Sequence, residues 1–174
     1  YYHFPTKLDL VRALDERVRA RERELREAGS GSPVEDLASS LLPSLHNTWS
    51  HHFLMRDAAL FRRSGLGVHR DPDIMAGLGE LEGVLRRMEK DGLFRRDTDV
   101  DLTDLARSLW MVGRFWPDYL REVEGADVQD RSDEERGVRQ HLAVLLPCLT
   151  AEGRRKVGAA FAVALAEWDA GAPA

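Results

Sequence analysis

An all-α fold follows from three features of the sequence. Apolar residues recur every three or four positions through most of the 174 residues, and no run alternates apolar and polar as a half-buried strand does. The periodic stretches are separated by helix stop and start signals, among them Gly29-Ser30-Gly31-Ser32-Pro33, Asp71-Pro72 and Gly92. The composition, 43% hydrophobic and 32% charged, is that of an ordinary globular chain, long enough for one domain with a sizeable core or one domain plus a fragment.

The first helix is predicted over residues 6–28. Leu8, Val11, Leu14, Val18 and Leu25 form its apolar stripe, and Thr6, just after Pro5, is its N-cap. Its other faces are rich in Arg and Glu, which reads as an exposed linker helix laced by i,i+4 pairs. The second helix starts at Pro33, a favoured first-turn residue. Leu37, Leu41, Leu45, Trp49 and Phe53 recur every four residues, and the pattern continues through Leu60 and Phe61 to Gly65. That predicts a long buried helix, bent at Pro43.

Asp71-Pro72 opens the third helix, with Ile74, Leu78, Leu81, Leu85 and Met88 as its stripe and Gly92 as its stop. Gly77, Gly79 and Gly83 lack G-x-G-x-x-G spacing and follow no strand, so they read as close helix packing rather than a phosphate loop. Asp99 or Asp101 caps the fourth helix, which carries Leu102, Leu105, Leu109, Val112, Trp116, Tyr119 and Val123 and is interrupted by Pro117. Ser132-Asp133-Glu134-Glu135 reads as a capping box for the fifth helix, whose apolar set is Val138, Leu142, Leu145, Leu146 and Leu149. Thr150 caps the last helix, with Val157, Phe161, Leu165 and Trp168 on one face and a neighbouring face of small residues, Ala159, Ala160, Ala162, Val163, Ala164 and Ala166.

Several function classes are disfavoured. The net charge of -5, mixed in sign, gives no global attraction to nucleic acid, so any DNA contact is local or lies outside this stretch. The single cysteine, Cys148, makes neither an internal disulfide nor a metal cluster, and fits a reducing cytoplasm. No stretch approaches the roughly 20 apolar residues of a membrane span, and no signal peptide is present. Beginning at Tyr1 rather than Met, the chain is expected not to start at the native terminus.

His46, His51 and His52 share one helix, but no two are four apart, and adjacent histidines point about 100° apart. No Glu-x-x-His pair exists for a di-iron bundle. No metal and no cofactor are expected, and a histidine lining a pocket or bonding a buried carboxylate is the favoured reading. Without G-x-S-x-G, a Cys/His pair in context or paired carboxylates on an apolar face, no enzyme is expected.

The opening residues carry a family resemblance. Tyr1-Tyr2-His3-Phe4-Pro5-Thr6-Lys7, followed by Leu8 and a helix, closely resembles the end of the TetR helix-turn-helix. There the recognition helix closes on a Tyr-Tyr-His-Phe-like stretch, and a turn with Pro, Ser or Thr, and Lys starts the fourth helix. More loosely, His51-His52-Phe53-Leu54-Met55-Arg56-Asp57, Asp71-Pro72 and Leu146-Pro147-Cys148-Leu149-Thr150-Ala151-Glu152-Gly153 resemble the C-terminal domain of one TetR subgroup.

The resemblance implies that residues 1–28 are the end of a DNA-binding head plus its linker helix, and 29–174 a ligand-binding and dimerisation domain. Tyr1, Tyr2, His3 and Lys7 would contact DNA, through phosphate oxygens and the positive end of the helix dipole; Phe4 is expected in the core. With the first two helices and most of the recognition helix missing, this stretch alone is expected not to bind an operator. Bulky groups on the second and fourth helices, disturbed by Pro43 and Pro117, suggest a pocket between the second, third and fourth helices. Its expected lining is Trp49, His52, Phe53, Arg56, Met75, Leu109, Val112 and Trp116, with Arg56 and Asp57 either a polar anchor or an ion pair. A homodimer is expected through the last two helices, at Val157, Ala160, Phe161, Ala164, Leu165 and Trp168. The implied function is a ligand-responsive regulator, released from operator DNA by an apolar or amphipathic small molecule. The alternative is a dimerisation module with a filled core and no small ligand.

Overall fold

The computed structural model describes residues 4–27, 31–52 and 72–171. Within them lie six α-helices and one 3-10 turn, and no β-strand. The helices are α1 (Lys7–Glu27), α2 (Pro33–Ser50), α3 (Pro72–Lys90), α4 (Leu102–Val123), α5 (Arg131–Leu145) and α6 (Ala151–Gly171), with the turn Leu146–Cys148 joining the last two. The predicted extension of the second helix through Phe53 to Gly65 lies outside the described residues.

Most ends carry the caps their sequence predicts. Thr6 Oγ1 accepts from Asp9 N–H at 3.1 Å while Asp9 accepts from Thr6 N–H at 3.1 Å, a reciprocal box. Ser32 and Glu35 do the same for α2, a box the sequence reading did not anticipate, having placed Ser32 in the preceding break. Asp101 accepts from the N–H groups of Thr103 and Asp104 at 2.7 and 3.2 Å. Gly92 takes φ 73°, and Leu93 N–H reaches back to Met88 O at 3.0 Å, closing α3. Thr150 Oγ1 accepts from Gly153 N–H at 3.1 Å. The α5 cap differs from expectation. Asp130 is the N-cap and Asp133 the returning partner, so the box starts two residues before Ser132. The Asp130 carboxylate reaches the N3 amide as well as Ser132 could, and Asp133 rather than Glu135 falls at the position that reaches back.

α2 is the hub, packing on each of the other described α-helices. Val34, Leu37, Ala38, Leu42 and Leu45 are buried on it and run into one core with Leu85 and Met88 of α3, Leu105, Leu109, Trp116 and Leu120 of α4, Val138 and Leu145 of α5, and Val157 and Phe161 of α6. Pro43 lies inside α2 and Pro117 inside α4, and both helices continue through them. The turn after α3 is stitched to the start of α6: Thr150 N–H and Oγ1 both donate to Leu93 O, at 2.8 and 3.1 Å, and Arg95 N–H donates to Cys148 O at 2.9 Å. Gly153 is required here, since a Cβ on it would stand 2.5 Å from Leu93 O.

A buried carboxylate joins three helices. Glu134 of α5 accepts from His46 Nδ1 of α2 at 2.8 Å and from Trp168 Nε1 of α6 at 2.9 Å, and the His46 ring meets the Trp168 ring edge-on at 5.6 Å. The sequence expectation that one α2 histidine bonds a buried carboxylate is met by His46.

Candidate functional site

Between α1, α2, α3, α4, α5 and α6 the core opens into a cavity of about 660 Å³. That lies within the range of about 300–1,000 Å³ typical of small-molecule sites. The lining is mostly apolar, with Leu37, Leu41, Leu45, Leu81, Val84, Leu109, Trp110, Leu142 and Phe161 among its walls. Small residues make the space. Ser40 and Ser44 stand on the α2 wall, and Gly77 and Gly83 on the α3 wall. A Cβ built on Gly83 meets nothing within 4 Å, so this position faces open volume.

One end of the cavity is polar and belongs to α1. Asp15, Val18, Arg19 and Glu22 face inward, at helical spacings of three, one and three. Glu22 accepts from Asn47 Nδ2 at 2.6 Å and from Ser44 Oγ at 3.0 Å, which fastens α1 to α2. Asp15 pairs with Arg19 at 2.6 Å. Asp36 of α2 pairs with Arg87 of α3 at 2.8 Å, closing another part of the wall. The Arg/Glu-rich faces of α1, expected to be exposed, do carry an i,i+4 ion pair, but Asp15, Arg19 and Glu22 look into the protein.

α4 and α5 contribute Arg114 and His141 to the lining. His141 is buried, and its Nδ1–H donates to Gly137 O at 2.8 Å. Burial pushes its imidazole below the ordinary value, partly opposed by hydrogen bonds to the Gly137 and Leu109 carbonyls. Gly113 leaves room for the ring, since a Cβ there would stand 3.2 Å from His141 Nε2. Arg114 holds its guanidinium 5.3 Å from the Phe115 ring centre, and its Nη1 is sealed from solvent with no hydrogen-bond partner. Burial lowers the Arg114 pKa, with Asp118 pulling the other way.

Of the residues expected to line a pocket, Leu109 does so. Trp116 is turned into the α4–α5 packing instead: its Nε1 donates to Asp133 O at 2.9 Å and its ring stacks on Tyr119. A Cβ on Gly137 would approach that ring to 3.0 Å, which is why α5 has glycine there. Val112 is half-buried beyond the cavity, and Met75 is 58% exposed on the outer side of α3. Trp49 and His52 pack on each other at 5.4 Å near the end of α2, away from the lining. Phe53, Arg56 and Asp57 lie outside the described residues. The sequence reading missed the polar wall. Its signal was present, because Asp15 and Glu22 fall on the same helical face as Val11 and Val18, and Ser40, Ser44 and Asn47 interrupt the apolar face of α2.

Among the expected DNA contacts, Lys7 is exposed at the first turn of α1, and Tyr1, Tyr2 and His3 lie outside the described residues. Phe4, expected in the core, is 44% exposed, because no described element packs over it. On α6, Val157 and Phe161 are buried in the chain's own core, and Ala160, Ala164, Leu165 and Trp168 are half-buried against it. The face that remains open on α6 is the small one, Gly158, Ala159, Ala162, Val163 and Ala166. No helix among the described residues is long and apolar enough to cross a membrane. Nor is there, among them, a group of three or more His, Cys, Asp or Glu placed to hold a metal ion.

Fold and cavity together define an all-α bundle that encloses a chamber between its helices. The sequence matches the family described as TetR, bacterial transcriptional repressor, over residues 11–157. The chain belongs to the TetR family of transcriptional regulators. A solved TetR-family transcriptional regulator from Marinobacter aquaeolei VT8 has the same fold, with a TM-score of 0.72 at 20% identity over 94% of this chain and 80% of that one. No curated protein matches the chain.

Proposed function

We propose that this chain is the effector-sensing and dimerising part of a ligand-responsive repressor. The observation that carries the reading is the cavity of about 660 Å³ with α1 as one wall. In this family the helix after the DNA-reading head couples that head to the body, and Lys7 would sit at the junction. An effector in the cavity meets Val18 and Glu22 of α1 directly, next to the Asn47 and Ser44 bonds that hold α1 in place. Displacing Glu22 from those donors would free α1 to move and change the spacing of two heads, which fit operator half-sites only near one helical turn apart or multiples of it. The effector must bind the released arrangement more tightly, or no population shifts. The open cavity favours this reading over a dimerisation module with a filled core.

For the dimer, the small open face of α6 replaces the larger residues as the surface a second copy would cover, since Val157 and Phe161 are already enclosed. Small residues let helices approach closely, and a two-fold axis would make such a face self-complementary.

The test is to fill the cavity. Gly83→Phe places a ring in open volume without a backbone clash. In the intact protein this variant is expected to keep operator affinity and dimer mass while losing release by the natural effector, measured by fluorescence anisotropy on operator DNA. A variant that still responds normally would refute the pocket assignment. Lys7→Ala in the same assay is expected to weaken binding to all sequences about equally and to flatten the salt slope by roughly one unit; a base-dependent loss would contradict the phosphate role.

A further inference from the structure

The charges that line the cavity are not equally satisfied. Asp15 has Arg19, Asp36 has Arg87, Glu22 has the Asn47 amide and the Ser44 hydroxyl, and Glu80 is also engaged. Arg114 stands apart. Its nearest acidic neighbour along the helix, Asp118, is hydrogen-bonded to Arg121 at 2.8 Å. Among the described residues no hydrogen bond reaches its guanidinium; Nη1 is sealed even from water, which leaves the other guanidinium N–H groups to meet a ligand, and the Phe115 ring flanks them. A buried donor without a partner is costly, and a cation in a low-dielectric wall attracts an anion far more strongly than one in water. The geometry therefore leaves one side chain in the wall whose hydrogen-bonding capacity is open.

Resting on the reading of the cavity as an effector site, we infer that the effector is an organic anion: an apolar body that fills the chamber and a single oxyanion that takes the free hydrogen-bond capacity of Arg114. The carboxylates of the lining do not recruit a cationic effector, because each already has a partner. Arg114 is here a binding residue, and its planar fork suits a carboxylate or similar oxyanion.

The test uses chain-matched probes. N-phenyl-1-naphthylamine, a neutral dye that brightens in apolar surroundings, is titrated into the protein, then displaced by decanoate, decanol or decyltrimethylammonium at fixed ionic strength. Dye uptake that is lost in Gly83→Phe reports the cavity itself; absence of uptake refutes the effector site, not merely its charge preference. Decanoate is expected to displace the dye at a concentration about tenfold or more below that of decanol, the ratio a charge-assisted hydrogen bond supplies, with decyltrimethylammonium weakest. Arg114→Gln is expected to take up dye normally and to bring decanoate and decanol together, while Arg114→Lys retains part of the gap. Equal displacement by decanoate and decanol in the unaltered protein overturns the inference without need of any variant, as does an anion preference that survives in a folded Arg114→Gln. A preference for decyltrimethylammonium would reverse the sign and overturn it as well.

Discussion

Two buried polar regions of this bundle are built on opposite terms. At the α2–α5–α6 junction, Glu134 accepts from His46 and Trp168 at hydrogen-bond distance, with Arg131 at 3.6 Å completing the surround. The α4 wall of the cavity holds Arg114 with a terminal nitrogen that bonds nothing. The first region joins three helices through one shared acceptor; the second sets a guanidinium without a hydrogen-bond partner in the wall of an open volume. The contrast separates polar groups that hold the fold from those available to a ligand, a distinction that burial alone does not make.

The largest effect is expected at the junction. Glu134→Ala strips two donors of a shared acceptor and releases α6 from α2, and should lower unfolding free energy by roughly 3 kcal/mol in urea denaturation. Dye uptake by the cavity should survive in the protein that remains folded. A loss below about 1 kcal/mol would mean that the junction is held by apolar packing alone and would erase one side of the contrast.

A smaller effect of opposite sign is expected at the cavity wall. Arg114→Met keeps the apolar stem and removes the unpartnered guanidinium, so stability should rise by about 1 kcal/mol. If Arg114→Met instead destabilises as Glu134→Ala does, the guanidinium is a structural group after all.

The smallest effect is a pH dependence from His141, on the same wall. Its folded-state pKa lies below the ordinary value of about 6.5, so the unfolded chain binds a proton that the folded chain refuses. Its contribution is therefore constant above that value, and stability falls as pH drops through about 6.5 until the folded-state value is passed. The slope in this window is bounded by the roughly 1.4 kcal/mol per pH unit that one full proton carries. Comparing chemical denaturation of the protein and His141→Asn across this window isolates the effect from the other histidines. Identical slopes would show that His141 is not held neutral by burial.

The sequence by itself determined the all-α fold, most helix boundaries and the family. The fold and the boundaries rest on local rules: apolar period, caps such as Thr6, Asp101 and Thr150, and the stop at Gly92, each decided within a few residues, while the family was legible as a resemblance in Tyr1-Tyr2-His3-Phe4-Pro5-Thr6-Lys7. Periodicity also marked Leu109 as inward-facing, and it does line the cavity. Periodicity cannot say what an inward-facing residue meets. Trp116 and Leu109 lie on the same face of α4, yet Trp116 is taken up by Gly137 and the Asp133 carbonyl of α5 while Leu109 borders open space. Val157 and Phe161 are consumed by the core of their own chain, and the small residues beside them are left outside. Only the tertiary structure decided those fates. Whether space is filled depends on the summed volumes of side chains arriving from six helices, and whether a charge is satisfied depends on partners as distant in sequence as Glu22 from Asn47 or Asp36 from Arg87.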